Sequence, residues 1–334
     1  MRDALRLSRG MSYKNAMANL EFGGRVRALY RVHSPAHESS YRSHNQKGGV
    51  GKTTTAVNLT ASLAATKRRV LLIDIDPQGN ATMGCGVDKT QLQRSTCEVL
   101  LGESDIASAI VPVEAAGFSL LPANADLTAA EVRLLTMVAG RETRLRNALK
   151  PVLDSFDVLL IDCPPTLNML TVNALVAADS LLIPMQCEYY ALEGLSALLS
   201  TVEQIKAAVN PTLEIEGILR TMFDPRNNLA NEVSAQLLMH FGDKVFRTSI
   251  PRNVRLAEAP SFGMPVLLHD KESRGALAYL ALAGEMIRRD EEEREQQAAP
   301  SNGSSVESSP QGGPPAHESP DALAAEPQNR SDAG

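Results

Sequence analysis

Lys47-Gly48-Gly49-Val50-Gly51-Lys52-Thr53-Thr54 is a glycine-rich turn that runs at once into a helix-forming stretch, residues 55–65. A turn of this kind lets backbone N–H groups converge on an anion, because Gly48, Gly49 and Gly51 allow conformations and close approaches that side chains would block. Lys52 adds a point charge for β- and γ-phosphates, and Thr53 places a hydroxyl where Mg²⁺ sits. The helix that begins there turns its positive end toward the same anion. The stretch therefore reads as a cradle for a nucleoside triphosphate and its metal ion. The pattern G-x-x-x-x-G-K-[ST] is not met in full, because Gln46 stands where its first glycine belongs and an extra lysine, Lys47, follows.

Downstream of the loop the pattern is regular. Arg69-Val70-Leu71-Leu72-Ile73-Asp74-Ile75-Asp76 and Phe156-Asp157-Val158-Leu159-Leu160-Ile161-Asp162 are largely apolar runs tipped by carboxylates, as strands buried on both faces read. Further strands are predicted over residues 118–122, 180–184, 213–222 and 245–250. Helices are predicted over 54–66, 128–153 with an interruption near Gly140, 170–178, 191–209, 229–241 and 275–289. The alternation predicts an α/β fold with a mostly parallel β-sheet and helices on both faces. Ligands of such sheets lie at the carboxyl edge, so Asp76 and Asp162 are expected beside the loop. Asp162 suits Mg²⁺, held through water; Asp76 is placed to orient or polarise an attacking water; Asp74 reads as a supporting carboxylate. Any one of these aspartates alone could be a strand-ending cap.

Upstream the pattern fails. A phosphate loop normally leaves a buried strand, yet Ser39-Ser40-Tyr41-Arg42-Ser43-His44 is polar. Three options stand: this segment is forced into the strand position, residues 26–32 substitute through a long connection, or the first strand is missing. Short βα loops favour the first or the third.

The chain has 334 residues, 43% of them hydrophobic, and a net charge of −6. Divided along the chain, the charge is about +5 over residues 1–44, about −3 over 45–289 and about −8 over 290–334. Residues 1–44 read as an atypical basic extension, disordered or misassigned through an altered frame or start. Residues 45–289 read as the folded domain. Residues 290–334 read as a disordered acidic tail rich in Ser, Pro and Gly. The four cysteines show no C-x-x-C spacing, and neither a secretory leader nor a membrane-spanning run is visible, which reads as a reduced, cytoplasmic protein.

The order of motifs resembles that of the ParA/Soj partition ATPases. The match runs through the loop and Asp74-Ile75-Asp76-Pro77-Gln78-Gly79-Asn80 to Ile161-Asp162-Cys163-Pro164-Pro165. It continues in Gln186-Cys187-Glu188-Tyr189-Tyr190 and Ile250-Pro251-Arg252-Asn253-Val254-Arg255. The resemblance implies a deviant Walker A P-loop ATPase that binds ATP and Mg²⁺, with Lys47 as a signature lysine reaching the phosphates of a second subunit. It implies an ATP-dependent homodimer that binds nonspecific double-stranded DNA at the nucleoid. A ParB-type centromere-binding partner would then trigger weak, stimulated hydrolysis. It places Lys47, Lys52 and Asp76 in catalysis, Thr53 and Asp162 on the metal, and residues 47–54 with Pro251 and Asn253 on the nucleotide. It places Arg226 and Arg255 on DNA; the plainer reading of both arginines, solvated surface charge or intramolecular ion pair, stands beside that. Tyr189 and Tyr190 read as packing residues.

Three other functions remain in view. A membrane-surface ATPase resembling MinD needs a basic amphipathic C-terminal helix, and Asp290-Glu291-Glu292-Glu293 has the wrong sign. A reductase resembling the nitrogenase iron protein needs paired cluster cysteines. A remnant impaired in nucleotide binding would follow from loss of the first strand.

Overall fold

Helix α1 (Lys52–Ala65) starts where the glycine-rich loop ends, and Gly51 at its N-cap takes φ 84° and ψ 25°, left-handed values that glycine adopts without steric cost. The computed structural model describes residues 25–29, 51–189 and 191–298. Strand β1 (Arg25–Leu29) precedes α1. After it come β2 (Val70–Asp74), α2 (Asn80–Gly84), α3 (Thr96–Leu101), α4 (Ile106–Ala109), β3 (Val111–Val113) and β4 (Phe118–Leu121). Next are α5 (Leu127–Thr136), α6 (Arg144–Leu149), β5 (Val158–Asp162), α7 (Met169–Ala177), β6 (Ser180–Gln186) and α8 (Ala191–Ala208). The order closes with β7 (Glu214–Thr221), α9 (Asn228–Phe241), α10 (Val254–Glu258), α11 (Val266–His269) and α12 (Arg274–Ala298).

Among the described residues the sheet has seven strands in the order β3-β4-β2-β5-β1-β6-β7. The edge pair β3–β4 is antiparallel and every other pairing is parallel. All five positions of β2 and of β5 are buried, as the apolar runs require. The two-residue period sorts them between faces. Leu71, Ile73, Leu159 and Ile161 pack with side chains of α3, α5 and α7, whereas Val70, Leu72, Val158 and Leu160 pack with α1 and α12. Register sets Asp74 directly opposite Asp162 at the carboxyl edge.

The expectation of a missing first strand is overturned. Strand β1 occupies the centre of the sheet, paired with β5 on one side and β6 on the other, with Leu29 level with Asp162. Ala28 is fully buried. A short connection was the wrong criterion, because closure entropy grows only logarithmically with loop length. An empty central position, by contrast, would strip ladder hydrogen bonds from two neighbours at once. Residues 25–29 are thus part of the sheet; the expected disorder of the remainder of 1–44 lies outside the described residues.

Other boundaries differ for local reasons. The helical stretch predicted over 128–153 is interrupted near Gly140 as expected: α5 ends at Thr136, and Gly140 at φ 73° precedes a short 3-10 turn and α6. The predicted strand over 245–250 makes only isolated bridges, Ile218 to Val245 and Phe223 to Pro251. Helix α3 was not anticipated, although Ser95 and Glu98 form a capping box at its start.

By internal contacts the chain divides into two units, Met1–Glu292 and Glu293–Gly334. The first contains every described strand. Of the second, residues 293–298 are described, as the end of α12. The acidic run from Asp290 is therefore helical rather than the start of a disordered tail, as good helix formers such as Glu, Arg and Gln permit. Residues 299–334 lie outside the described residues.

One backbone contact joins the segment after α2 to the turn before α11. Gly86 has φ 80°, and a Cβ on it would lie 2.7 Å from the Gly263 carbonyl oxygen. Gly86→Ala is expected to lower stability by about 2–4 kcal/mol, from left-handed strain plus overlap with backbone that cannot give way. Urea unfolding measures the loss, and a shift under 0.5 kcal/mol (about the scatter of a neutral surface change) would show that the contact relaxes freely.

Candidate nucleotide and metal site

The loop end, the β2 tip and the segment before α10 converge on a cavity of about 510 Å³ at the carboxyl edge of the sheet. Gly51, Lys52, Thr53 and Thr54 form one wall, Asp76 and Asn80 another, and Pro251 and Asn253 a third. Lys47, Gly48, Gly49 and Val50 lie outside the described residues. Helix α1 is braced from behind: the Asn58 Nδ2 donates to the Thr54 carbonyl at 2.7 Å, and its Oδ1 accepts from the Val266 N–H at 2.7 Å. The Thr55 and Tyr279 hydroxyls meet at 3.1 Å in the interior. Rigid support of this kind fixes where the helix N-terminus points.

Lys52 Nζ lies 3.7 Å from Asp162 Oδ1. Asp162 is fully buried, and neither of its carboxylate oxygens accepts a hydrogen bond among the described residues. Burial raises its pKa, opposed first by the Lys52 charge. Buried carboxylate oxygens without a hydrogen-bond donor are costly unless cations satisfy them, and hard oxygen donors of this kind suit Mg²⁺. Asp162 and the adjoining Thr53 hydroxyl therefore fit a magnesium ion, which would polarise the phosphate oxygens.

Asp74, opposite Asp162, is pushed up to about 7, by burial first and then by the Asp162 charge. Hydrogen bonds from Thr82 and from the Asp76 N–H oppose that rise. Asp76 extends beyond the strand tip. Its Oδ1 accepts from the Gln78 N–H at 3.0 Å, and Oδ2 has no protein donor among the described residues. An oxygen free to accept at the cavity wall can hold and polarise a water.

Asn253 adds a polar group among apolar lining residues. Asn253 Oδ1 caps α10 by accepting from the Leu256 N–H at 3.3 Å, which leaves its Nδ2 donors for a ligand. Met222, after β7, holds φ 48° and lines the cavity. That conformation costs a non-glycine residue about 1–2 kcal/mol and clusters at functional sites.

Arg226 and Arg255 stand apart from the nucleotide wall and are engaged within the chain. Arg226 grips Asp224 through two contacts, 3.0 and 2.8 Å, and holds its carboxyl down at about 2, chiefly by that side-chain hydrogen bond. Arg255 reaches Glu258 at 2.8 Å and Asp270 at 3.3 Å. Ion pairs this exposed are weak and screened by salt, so phosphates can compete for them. Tyr189 is 72% exposed, and Tyr190 lies outside the described residues. Asn58, Thr82, Met222 and Tyr279 were not anticipated; Tyr279 is 224 residues from its partner Thr55, a separation that no local motif encodes.

Residues 42–215 match the family described as AAA domain. The chromosome partitioning protein ParA of Caulobacter vibrioides is 51% identical over 256 residues, covering 76% of this chain and 94% of its own length. The chromosome-partitioning ATPase Soj of Thermus thermophilus is 53% identical over 248 residues, covering 74% of this chain and 95% of its own. Cobyrinic acid a,c-diamide synthase from Mycobacterium smegmatis, solved with a bound ATP analog and magnesium, superimposes with a TM-score of 0.67 at 37% identity. That comparison covers 81% of this chain and 97% of the other.

Proposed function

Because the chain belongs to the ParA/Soj family of chromosome-partitioning ATPases, we propose that it is an ATP-driven switch that binds DNA. ATP and Mg²⁺ occupy the cavity, with residues 47–54, Pro251 and Asn253 on the nucleotide and Thr53 and Asp162 on the metal. Asp76 positions the attacking water. Lys52 and, from a second copy, Lys47 neutralise charge as the phosphoryl group transfers. The bound triphosphate closes a homodimer, which presents Arg226 and Arg255 to nonspecific double-stranded DNA of the nucleoid. A ParB-type partner raises a slow basal hydrolysis and releases the complex.

The observation that carries this reading is the meeting of Lys52, Thr53 and Asp76 at one cavity, beside a buried Asp162 whose two oxygens accept no hydrogen bond among the described residues. The strand at the centre of the sheet withdraws the reason for an impaired remnant. Among the described residues no helix is long and apolar enough to cross a membrane.

Retention on a random-sequence DNA duplex, with ATP, ADP or no nucleotide, tests the switch. At least about ten-fold tighter retention with ATP is expected, weakening steeply with salt as backbone contacts do. Equal retention in all three conditions would refute the switch, and absence of any ATP turnover would refute the enzyme.

A further inference from the structure

The loop that carries Asp76 leaves β2 at Asp74, arches past the cavity and returns at α2, where it meets the residue from which it set out. Asp74 Oδ1 accepts from the Asp76 N–H at 3.1 Å, and Asp74 Oδ2 accepts from the Thr82 N–H at 2.8 Å and the Thr82 hydroxyl at 2.7 Å. One carboxylate therefore ties both feet of the loop. Both Asp74 and Thr82 are fully buried, so neither can touch a ligand in the cavity directly.

The tie is anchored to the neighbouring strand as well. Having donated its proton to Asp74, the Thr82 hydroxyl accepts from the Ala123 N–H at 2.9 Å, just beyond β4. The Thr96 hydroxyl spans the Asp74 and Pro122 carbonyls at 2.7 and 3.0 Å. Gly79, on the arch itself, has φ 59°, and a Cβ there would lie 2.7 Å from the Ala123 carbonyl oxygen. The arch is thus held from both sides, and within it Asp76 and Asn80 reach the cavity wall.

We infer that Asp74 and Thr82 are positioning residues for hydrolysis, a clasp that fixes the Asp76 carboxylate where it can orient water. The chemistry of the clasp favours this over simple packing. All three groups on Asp74 are donors, which the two oxygens of a carboxyl group can accept and an apolar side chain cannot. An apolar pair of the same size would fill the space but would leave the Asp76 N–H and the Thr82 N–H without acceptors. Sub-ångström freedom in a catalytic group lowers turnover while leaving substrate affinity intact. The inference rests on the proposed ATPase activity with Asp76 as its water-orienting group.

Thr82→Val tests it, since it keeps the shape and the N–H and removes only the hydroxyl. The expected result is a fall in kcat of about 10–100-fold with the Kd for a fluorescent ATP analogue, measured with Mg²⁺, changed by less than about three-fold. Thr82→Ser restores kcat to within about three-fold. In an Asp76→Ala background Thr82→Val has no further effect on residual turnover, because the clasp acts through Asp76. Amide exchange of residues 76–82 quickens in Thr82→Val without nucleotide. Should Thr82→Val fail to fold, Asp74→Asn is read by the same kcat-against-Kd split. Unchanged kcat, a parallel loss of kcat and nucleotide affinity, or failure of serine to rescue would each overturn the inference. Wild-type protein that binds ATP without turning it over would refute the proposed function instead, and amide exchange would still decide whether the clasp holds the arch.

Discussion

Asp76→Ala is expected to bind Mg·ATP within about three-fold of wild type and to lose about 10²–10⁴-fold in hydrolysis, the range that a positioned acid–base group contributes. The split follows from where charge sits. In the proposed site the phosphates are held by residues 47–54 and the N-terminal end of α1, and among the described residues of that stretch none hydrogen-bonds to Asp76. The Asp76 carboxylate spends one oxygen on the Gln78 N–H and keeps the other free of protein donors among the described residues. Alanine removes that free acceptor and leaves the Asp76 amide, with its bond to Asp74, in place. It also removes a negative charge that bears on Asp162, so the folded state is not expected to weaken. A single-turnover assay paired with equilibrium titration of a fluorescent ATP analogue measures the two quantities separately. Unchanged turnover would move the water-orienting role to another group.

Much of this site was legible because its chemistry is local. Lys52, Thr53 and Gly51 are consecutive, and the two carboxylate-tipped runs announce by composition alone that they are buried strands ending at the same edge. Parallel pairing then brings Asp74 level with Asp162. What was not legible depends on contacts between distant segments. Val26, Ala28 and Leu29 are a weak signal among arginines, and only the sheet, by leaving a gap between β5 and β6, gives them a position. Thr82 has no feature that separates it from any helical threonine until the arch returns it to Asp74. The strand predicted over 245–250 has suitable β-branched and aromatic residues, but propensity records only fitness for a pleated surface. Here the Arg247 and Thr248 N–H groups donate to Glu285 of α12 at 2.8 Å each instead of to a strand. That bond set carries the chain on to Pro251 and Asn253 at the cavity wall.

Lys52→Ala is expected to produce the reverse of the Asp76→Ala pattern, with nucleotide affinity itself lost by about 100-fold or more, as removal of a charge-assisted contact to a desolvated phosphate implies. The lysine has two jobs at one position. Toward the proposed triphosphate it would be a point charge at the start of α1, and toward the protein it is the cation 3.7 Å from the buried Asp162. Removing it therefore leaves Asp162 facing Asp74 across the strand pair without its neighbouring cation. Stranding one member of a buried pair costs about 3–5 kcal/mol in full. The cost here is smaller, because the pKa of Asp162 is already raised by burial and Lys52 is the first influence holding it down. Without the lysine the carboxyl takes up a proton more readily and sheds the charge that would have been stranded. The expected signature is thus a large loss of ATP affinity with a loss of about 1–3 kcal/mol in stability. Isothermal titration with Mg·ATP and urea unfolding of the same preparation read the two effects side by side. Full ATP affinity in Lys52→Ala would mean that the cavity at α1 is not where the triphosphate sits.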